Sequence, residues 1–197
     1  MNLPNKITVF RILLVPIILL VWLFPYSQFG IYFYNIDVGP TSVSLLNLIV
    51  LALFVIASIS DMLDGLIARK NNLVTTFGKF ADPIADKMLV NTMFIVLCFK
   101  HQVPVLPVIL MLCRDTIVDG CRMIAASNGT VVAAGILGKL KTVLQMVTII
   151  FLLINNIPFE LVSLPITTLL VWFTTFISLS SGYSYFMQLK DYIFESK

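Results

Sequence analysis

The stretch VGPTSVSLLNLIVLALFVIASIS, residues 38–60, has no charged side chain and runs directly into DMLDGLIARK at 61–70. It is longer than the roughly 20 apolar residues a helix needs to cross a bilayer. Residues 12–36, 142–159 and 161–189 are equally free of charge. Two shorter apolar runs, 88–99 and 102–113, reach spanning length only when extended to about 83–99 and 103–124. The sequence therefore predicts an all-α integral membrane bundle of six transmembrane helices, one domain over 1–197. The first run follows Lys6 and Arg11 with no small-residue cleavage site after it, so it reads as a retained helix, with Pro16 placed to kink it.

Composition narrows the class. Of 197 residues, 59% are hydrophobic and 12% charged, and the mean hydropathy is +0.99. Soluble domains carry about 25% charged residues, so a water-soluble globular domain is excluded. A disordered chain would need low hydrophobicity and high net charge. The net charge of +3 points to basic cytoplasmic loops and not to a nucleic acid partner. Cys98, Cys113 and Cys121 lie in or beside apolar runs and read as small buried hydrophobes, without disulfide or zinc spacing. A single histidine, His101, leaves carboxylates as the metal ligands, which favour a hard cation.

The extended third and fourth spans hold Asp86, Lys87, Arg114, Asp115, Asp119 and Arg122. Ionisable groups at membrane depth usually face a polar cavity. With six spans, the linkers near 25–41, 100–102 and 155–160 share one side and carry only Lys100 as a basic residue. The other twelve basic residues lie opposite, so the positive-inside rule puts that face, both termini and the polar cavity in the cytoplasm. Trp22, Phe24, Tyr26, Phe29, Tyr32, Phe33 and Tyr34 read as an interfacial aromatic belt. Asn47, Asn91 and Gln145, inside apolar runs, read as interhelical hydrogen-bonding groups.

Four of the ten acidic residues fall in DMLDGLIARKNNLVTTFGKFADPIAD, residues 61–86. Asp61 and Asp64, three apart, share a helix face, with Gly65, Ala68 and Arg69 on or near it. Residues 70–78 read as a loop, and Pro83 suits the first position of the next helix. Asp86 follows Asp82 by four and converges with it. Two helix ends, each offering two carboxylates, can surround one or two divalent ions. Mg²⁺ prefers oxygen ligands and bridges carboxylates to substrate phosphates. Gly65 clears room for a ligand, and Arg69 can grip a phosphate bidentately. Other readings stand beside this one. Asp82 can cap a helix, and Asp61 and Asp64 can pair with Arg69 and Lys70 at a solvated helix end. A cation transporter also uses intramembrane carboxylates, although it would place them at mid-depth in several helices.

The spacing D-x2-D-G-x2-A-R-x8-G-x3-D-x3-D, here Asp61, Asp64, Gly65, Ala68, Arg69, Gly78, Asp82 and Asp86, resembles the signature of the CDP-alcohol phosphotransferases. That family's fold is a six-helix membrane bundle, usually a homodimer. The resemblance implies displacement at phosphorus: an acceptor hydroxyl attacks a CDP-linked lipid and CMP leaves. It implies that Asp61, Asp64, Asp82 and Asp86 hold Mg²⁺ or Mn²⁺, two ions in the family pattern. It also implies that Asp86 is the general base and that Asp61, Gly65, Arg69 and Gly78 bind CDP.

The acceptor is addressed by other residues. In RDTIVDGCR, 114–122, Arg114, Asp115, Asp119 and Arg122 make one polar stripe on a helix. GKLKT at 138–142 adds Lys139 and Lys141. Two arginines and two lysines at one face suit a phosphate-bearing acceptor. Equally, Arg114 can pair with Asp115, and Arg122 with Asp119. The opening NLPNKITVFR, with Asn5, Thr8 and Arg11, is similar to bacterial family members that use glycerol 3-phosphate, as are the R-x7-R pair and the GKxKT segment. Asn5 and Thr8 are thus candidate site residues. That resemblance implies CDP-diacylglycerol and sn-glycerol 3-phosphate as substrates, CMP and phosphatidylglycerophosphate as products, and the cytoplasmic membrane of a bacterium as the location. Phosphatidylglycerol or an inositol phosphate is the alternative acceptor. Arg114-Asp115 stands where many such members have Arg-Glu, and Asp119 is an added acid.

Overall fold

The computed structural model describes residues 2–70, 75–127, 135–157, 159 and 165–193. Within its helices, nothing is described of the side chains of residues 3, 62–64, 66–70, 76, 79, 80 and 191–193. The described elements are α1 (Leu3–Leu23), a short 3₁₀ turn (Tyr26–Phe29), β1 (Asn35–Val38), β2 (Thr41–Ser44), α2 (Leu45–Lys70), α3 (Thr76–Phe99), α4 (Val105–Ser127), α5 (Ile136–Leu153) and α6 (Ile166–Ile193). Among the described residues, three segments are long and apolar enough to cross a membrane: Pro4–Leu23, Ile136–Leu153 and Ile166–Lys190. The apolar part of α2, Leu45–Asp61, is shorter. Charged residues interrupt α3 and α4, and neither is among the three segments.

Two compact units divide the chain, residues 1–93 with 153–164, and 94–152 with 165–197. In the first, α1 packs on α2. Ile18, Trp22, Val50, Phe54, Ala57 and Leu89 are among its buried residues. Trp22 Nε1 donates to Asn47 Oδ1 at 3.2 Å, so Asn47 is the interhelical group its position suggested. Trp22 itself leaves the expected aromatic belt: it is 2% exposed, while Phe24, Tyr26, Phe29 and Phe33 cluster through ring contacts of 4.8–5.3 Å.

Two boundaries differ from expectation. The uncharged run that begins at residue 38 does not start as helix. Asn35–Val38 pairs antiparallel with Thr41–Ser44 around Gly39, whose φ of +61° suits glycine, and α2 begins only at Leu45. Absence of charge marks neither helix nor burial here, since of residues 38–44 only Val43 is buried; the alternating β-branched residues of TSVS favour a strand. The next helix does not start at Pro83 either. Thr75 Oγ1 accepts the Gly78 N–H at 3.0 Å, an N-cap that starts α3 at Thr76 and leaves Pro83 inside the helix. The consequence is useful: Gly78, Asp82 and Asp86, four apart, line one face of one helix.

In the second unit α4 packs on α6. The turn after α3 closes with His101 at φ +59°, Gln102 N–H bonding Leu97 C=O at 2.9 Å and His101 N–H bonding Cys98 C=O at 2.9 Å. That double bond is the αL helix end that usually takes glycine. Thr148 Oγ1 and Thr174 Oγ1 meet at 3.0 Å across α5 and α6. Gly182 on α6 lets α4 approach: a Cβ there would lie 2.7 Å from Arg114 Cγ and 3.1 Å from its Nε. Gly182→Ala is therefore expected to destabilise. Overpacking costs about 1–3 kcal/mol, against about 1 kcal/mol gained in helix propensity. The thermal midpoint of the purified variant in detergent should fall, and an unchanged or raised midpoint contradicts the close approach.

Candidate active site

The carboxylates of the first unit are gathered by the start of α1. Asn5, Thr8 and Arg11 recur every three residues along α1, and all three are buried, Arg11 completely. Arg11 Nη1 pairs with Asp61 Oδ1 at 2.7 Å and also with Asp86 Oδ1. Thr8 Oγ1 donates to Asp82 Oδ1 at 2.7 Å. Asn5 Oδ1 accepts from Thr75 Oγ1 at 2.8 Å, tying α1 to the cap of α3. Gly78 keeps this corner open, since a Cβ there would meet Asn5 Oδ1 and Thr75 Oγ1 at 3.3 Å and Asp82 Oδ2 at 3.6 Å. One helix thus holds three polar side chains against α2 and α3. Asp61 and Asp86 stay about a third exposed, so ligands can reach them.

Asp61, Gly78, Asp82 and Asp86 are placed in this unit with Asn5 and Thr8, as is Gly65 on α2. The side chains of Asp64 and Arg69 lie outside the described residues. Among the described residues, no three acidic, histidine or cysteine side chains stand close enough to hold one metal ion. The donor set still suits a hard divalent cation, being all oxygen, with Asp61 and Asp86 converging on one positive group.

The second unit holds Arg114, Arg122, Lys139 and Lys141. Arg114 is 9% exposed and fully engaged: Nη1 to Asp115 Oδ1 at 2.8 Å, Nη2 to Ser181 Oγ at 2.7 Å, and Nε to Ser178 C=O at 3.0 Å. Lys141 Nζ reaches the same Asp115 oxygen at 2.5 Å. The Arg114–Asp115 pair left open by the sequence is therefore formed, with Lys141 as a third member. Arg122 is placed differently. Its guanidinium carbon lies 4.7 Å from the ring centroid of Tyr185, and Nη2 donates to the Tyr185 hydroxyl at 2.6 Å. Lys139 is exposed in the first turn of α5.

The CDP-alcohol phosphatidyltransferase family model matches residues 1–180. The chain belongs to the CDP-alcohol phosphatidyltransferase family. Among its relatives in that family, one from Bacillus subtilis strain 168 is 45% identical over 185 residues, covering 94% of this chain and 93% of its own length. One from Rickettsia typhi is 39% identical over 192 residues, covering 97% and 98%. A shorter match, 40% over 153 residues, is to Mycoplasma genitalium. All three relatives are named CDP-diacylglycerol–glycerol-3-phosphate 3-phosphatidyltransferase.

Sequence reasoning did not give Arg11, Thr75, Ser181 or Tyr185 a part in the site. The signal for Arg11 was present in the three-residue spacing of Asn5, Thr8 and Arg11. The signal on α6 was weaker: Ser180, Ser181, Gly182, Tyr183 and Tyr185 crowd one end of an otherwise apolar run.

Proposed function

We propose that this chain transfers the phosphatidyl group of CDP-diacylglycerol to sn-glycerol 3-phosphate, giving phosphatidylglycerophosphate and CMP. The observation that carries the reading is near-full-length identity of 39–45% to relatives bearing that enzyme's name. The carboxylate face built by α1, α2 and α3 supports it, because displacement at a diphosphate needs oxygen ligands for a cation and a base for the attacking hydroxyl.

The acceptor's primary hydroxyl oxygen attacks the phosphorus that carries the diacylglycerol. The new P–O bond forms as the bond to the CMP oxygen breaks, and Asp86 takes the hydroxyl proton. Asp61, Asp64, Asp82 and Asp86 would hold two Mg²⁺ or Mn²⁺ ions, which supply neutralisation of the diphosphate charge when bound. Arg11 holds Asp61 and Asp86 in register, and Thr8 orients Asp82. Gly65, Arg69 and Gly78 receive the CDP moiety. Arg122 and Lys139 take the acceptor's phosphate, while Arg114 and Lys141 add positive potential from the network around Asp115.

In this reading the chain is a six-span homodimer in the cytoplasmic membrane. Its termini and polar cavity face the cytoplasm, where twelve of its thirteen basic residues fall. The test is lipid synthesis in vesicles containing CDP-diacylglycerol. With Mg²⁺ present, labelled sn-glycerol 3-phosphate should enter the organic phase as phosphatidylglycerophosphate, and EDTA should stop it. Label that enters the lipid only from phosphatidylglycerol or an inositol phosphate overturns the acceptor assignment.

A further inference from the structure

Tyr185 has two features that its place in an apolar helix does not require. It is 4% exposed, and its hydroxyl oxygen collects two donors from two other elements: Arg122 Nη2 of α4 at 2.6 Å and the Gly135 N–H, just before α5, at 3.0 Å. Its ring also lies under the Arg122 guanidinium and touches the start of α5, where a Cβ on Gly138 would meet its Cε2 at 3.5 Å. A flat ring and a fixed oxygen thus hold a guanidinium by its face and by one edge.

Arg122 is the right group to be held this way. The carboxylate of Asp115 answers Arg114 and Lys141, whereas Arg122 forms no ion pair among the described residues. Its Nε is buried with no hydrogen-bond partner among them. The segment 128–134 that leads to Gly135 contains no acidic residue. Nearby, α5 begins at Ile136 and carries Lys139 in its first turn. A helix start attracts anions through its free N–H groups. A guanidinium with spare donors next to it is suited to an oxyanion.

We propose that Tyr185 is a positioning residue for the acceptor: it fixes Arg122 and the start of α5 so that both meet the phosphate of the incoming alcohol. The inference rests on the reading of Arg122 and Lys139 as the acceptor-phosphate group. It deepens that reading by assigning a residue of α6 that acts through Arg122.

The experiment is steady-state kinetics of Tyr185→Phe, Arg122→Gln and the double variant in lipid–detergent micelles, varying each substrate in turn. Y185F keeps the ring and loses the oxygen. It should raise KM for sn-glycerol 3-phosphate about tenfold, with kcat and KM for CDP-diacylglycerol within about twofold of wild type. R122Q should raise the same KM, and the double variant should be no worse than R122Q alone, because Tyr185 acts through Arg122. If R122Q raises that KM and Y185F does not, the role of Tyr185 falls and the phosphate group stands. If R122Q leaves it unchanged, both fall. Additive effects in the double variant, or equal losses toward both substrates in Y185F, make Tyr185 a packing residue only and overturn the proposal. Should Y185F not fold, Tyr185→His, a polar aromatic whose shorter ring leaves the hydroxyl position empty, replaces it. A folded Y185H with wild-type KM for sn-glycerol 3-phosphate also overturns the proposal.

Discussion

Asp86→Asn is expected to lower turnover by roughly 10²- to 10⁴-fold, the usual contribution of a general base. The substitution keeps the size and planarity of the side chain. Its amide oxygen can still accept from Arg11, and Arg11 keeps its 2.7 Å pair with Asp61. The fold and the α1–α3 contact should therefore survive, while the ability to take a proton from the acceptor hydroxyl is lost. Purified D86N should unfold near the wild-type midpoint and release CMP at a small fraction of the wild-type rate. Retention of more than about a tenth of the activity contradicts the assignment of Asp86 as base.

Asp115→Ala should have the largest effect on stability. Asp115 is 3% exposed, and one of its oxygens receives both Arg114 and Lys141. Removing one member of a buried ionic group costs about 3–5 kcal/mol, because the remaining charge is left buried and unanswered. Here two cations would be left, joined on α4 and α5 by a site that also engages α6 through Ser178 and Ser181. Arg114 keeps those two bonds, so the expected loss lies near the lower end of the range. Asp115→Asn preserves shape and one acceptor and should lose less. Thermal unfolding in detergent measures both, and a D115A midpoint equal to wild type contradicts a central role for Asp115.

The chain's membrane class and its carboxylate positions were legible because each rests on a local rule. Charge-free runs mark spans, and residues three or four apart share a helix face, which is how Asp82 and Asp86 come together on α3. What was not legible depended on competition between local signals. Pro83 looks like a helix start, but the Thr75 cap eight residues earlier wins, because proline inside a helix removes a single N–H and the remaining turns still bond. The β1–β2 hairpin was hidden by reading residues 38–44 as the start of a span. Groups that act across elements were hardest to see. Arg11 is seventy-five residues from Asp86, and Tyr185 sixty-three from Arg122, so only tertiary structure pairs them. The four basic residues, alike in sequence, separate in the same way: Asp115 takes two of them, and Arg122 stacks on a tyrosine instead.

Whether this chain transfers a phosphatidyl group to sn-glycerol 3-phosphate is read from CMP release. The purified protein in lipid-supplied detergent is given CDP-diacylglycerol and Mg²⁺, with and without sn-glycerol 3-phosphate. CMP release should require sn-glycerol 3-phosphate. Release with another alcohol but not with sn-glycerol 3-phosphate overturns the acceptor, and no release with any acceptor from a folded sample overturns the phosphatidyl transfer itself.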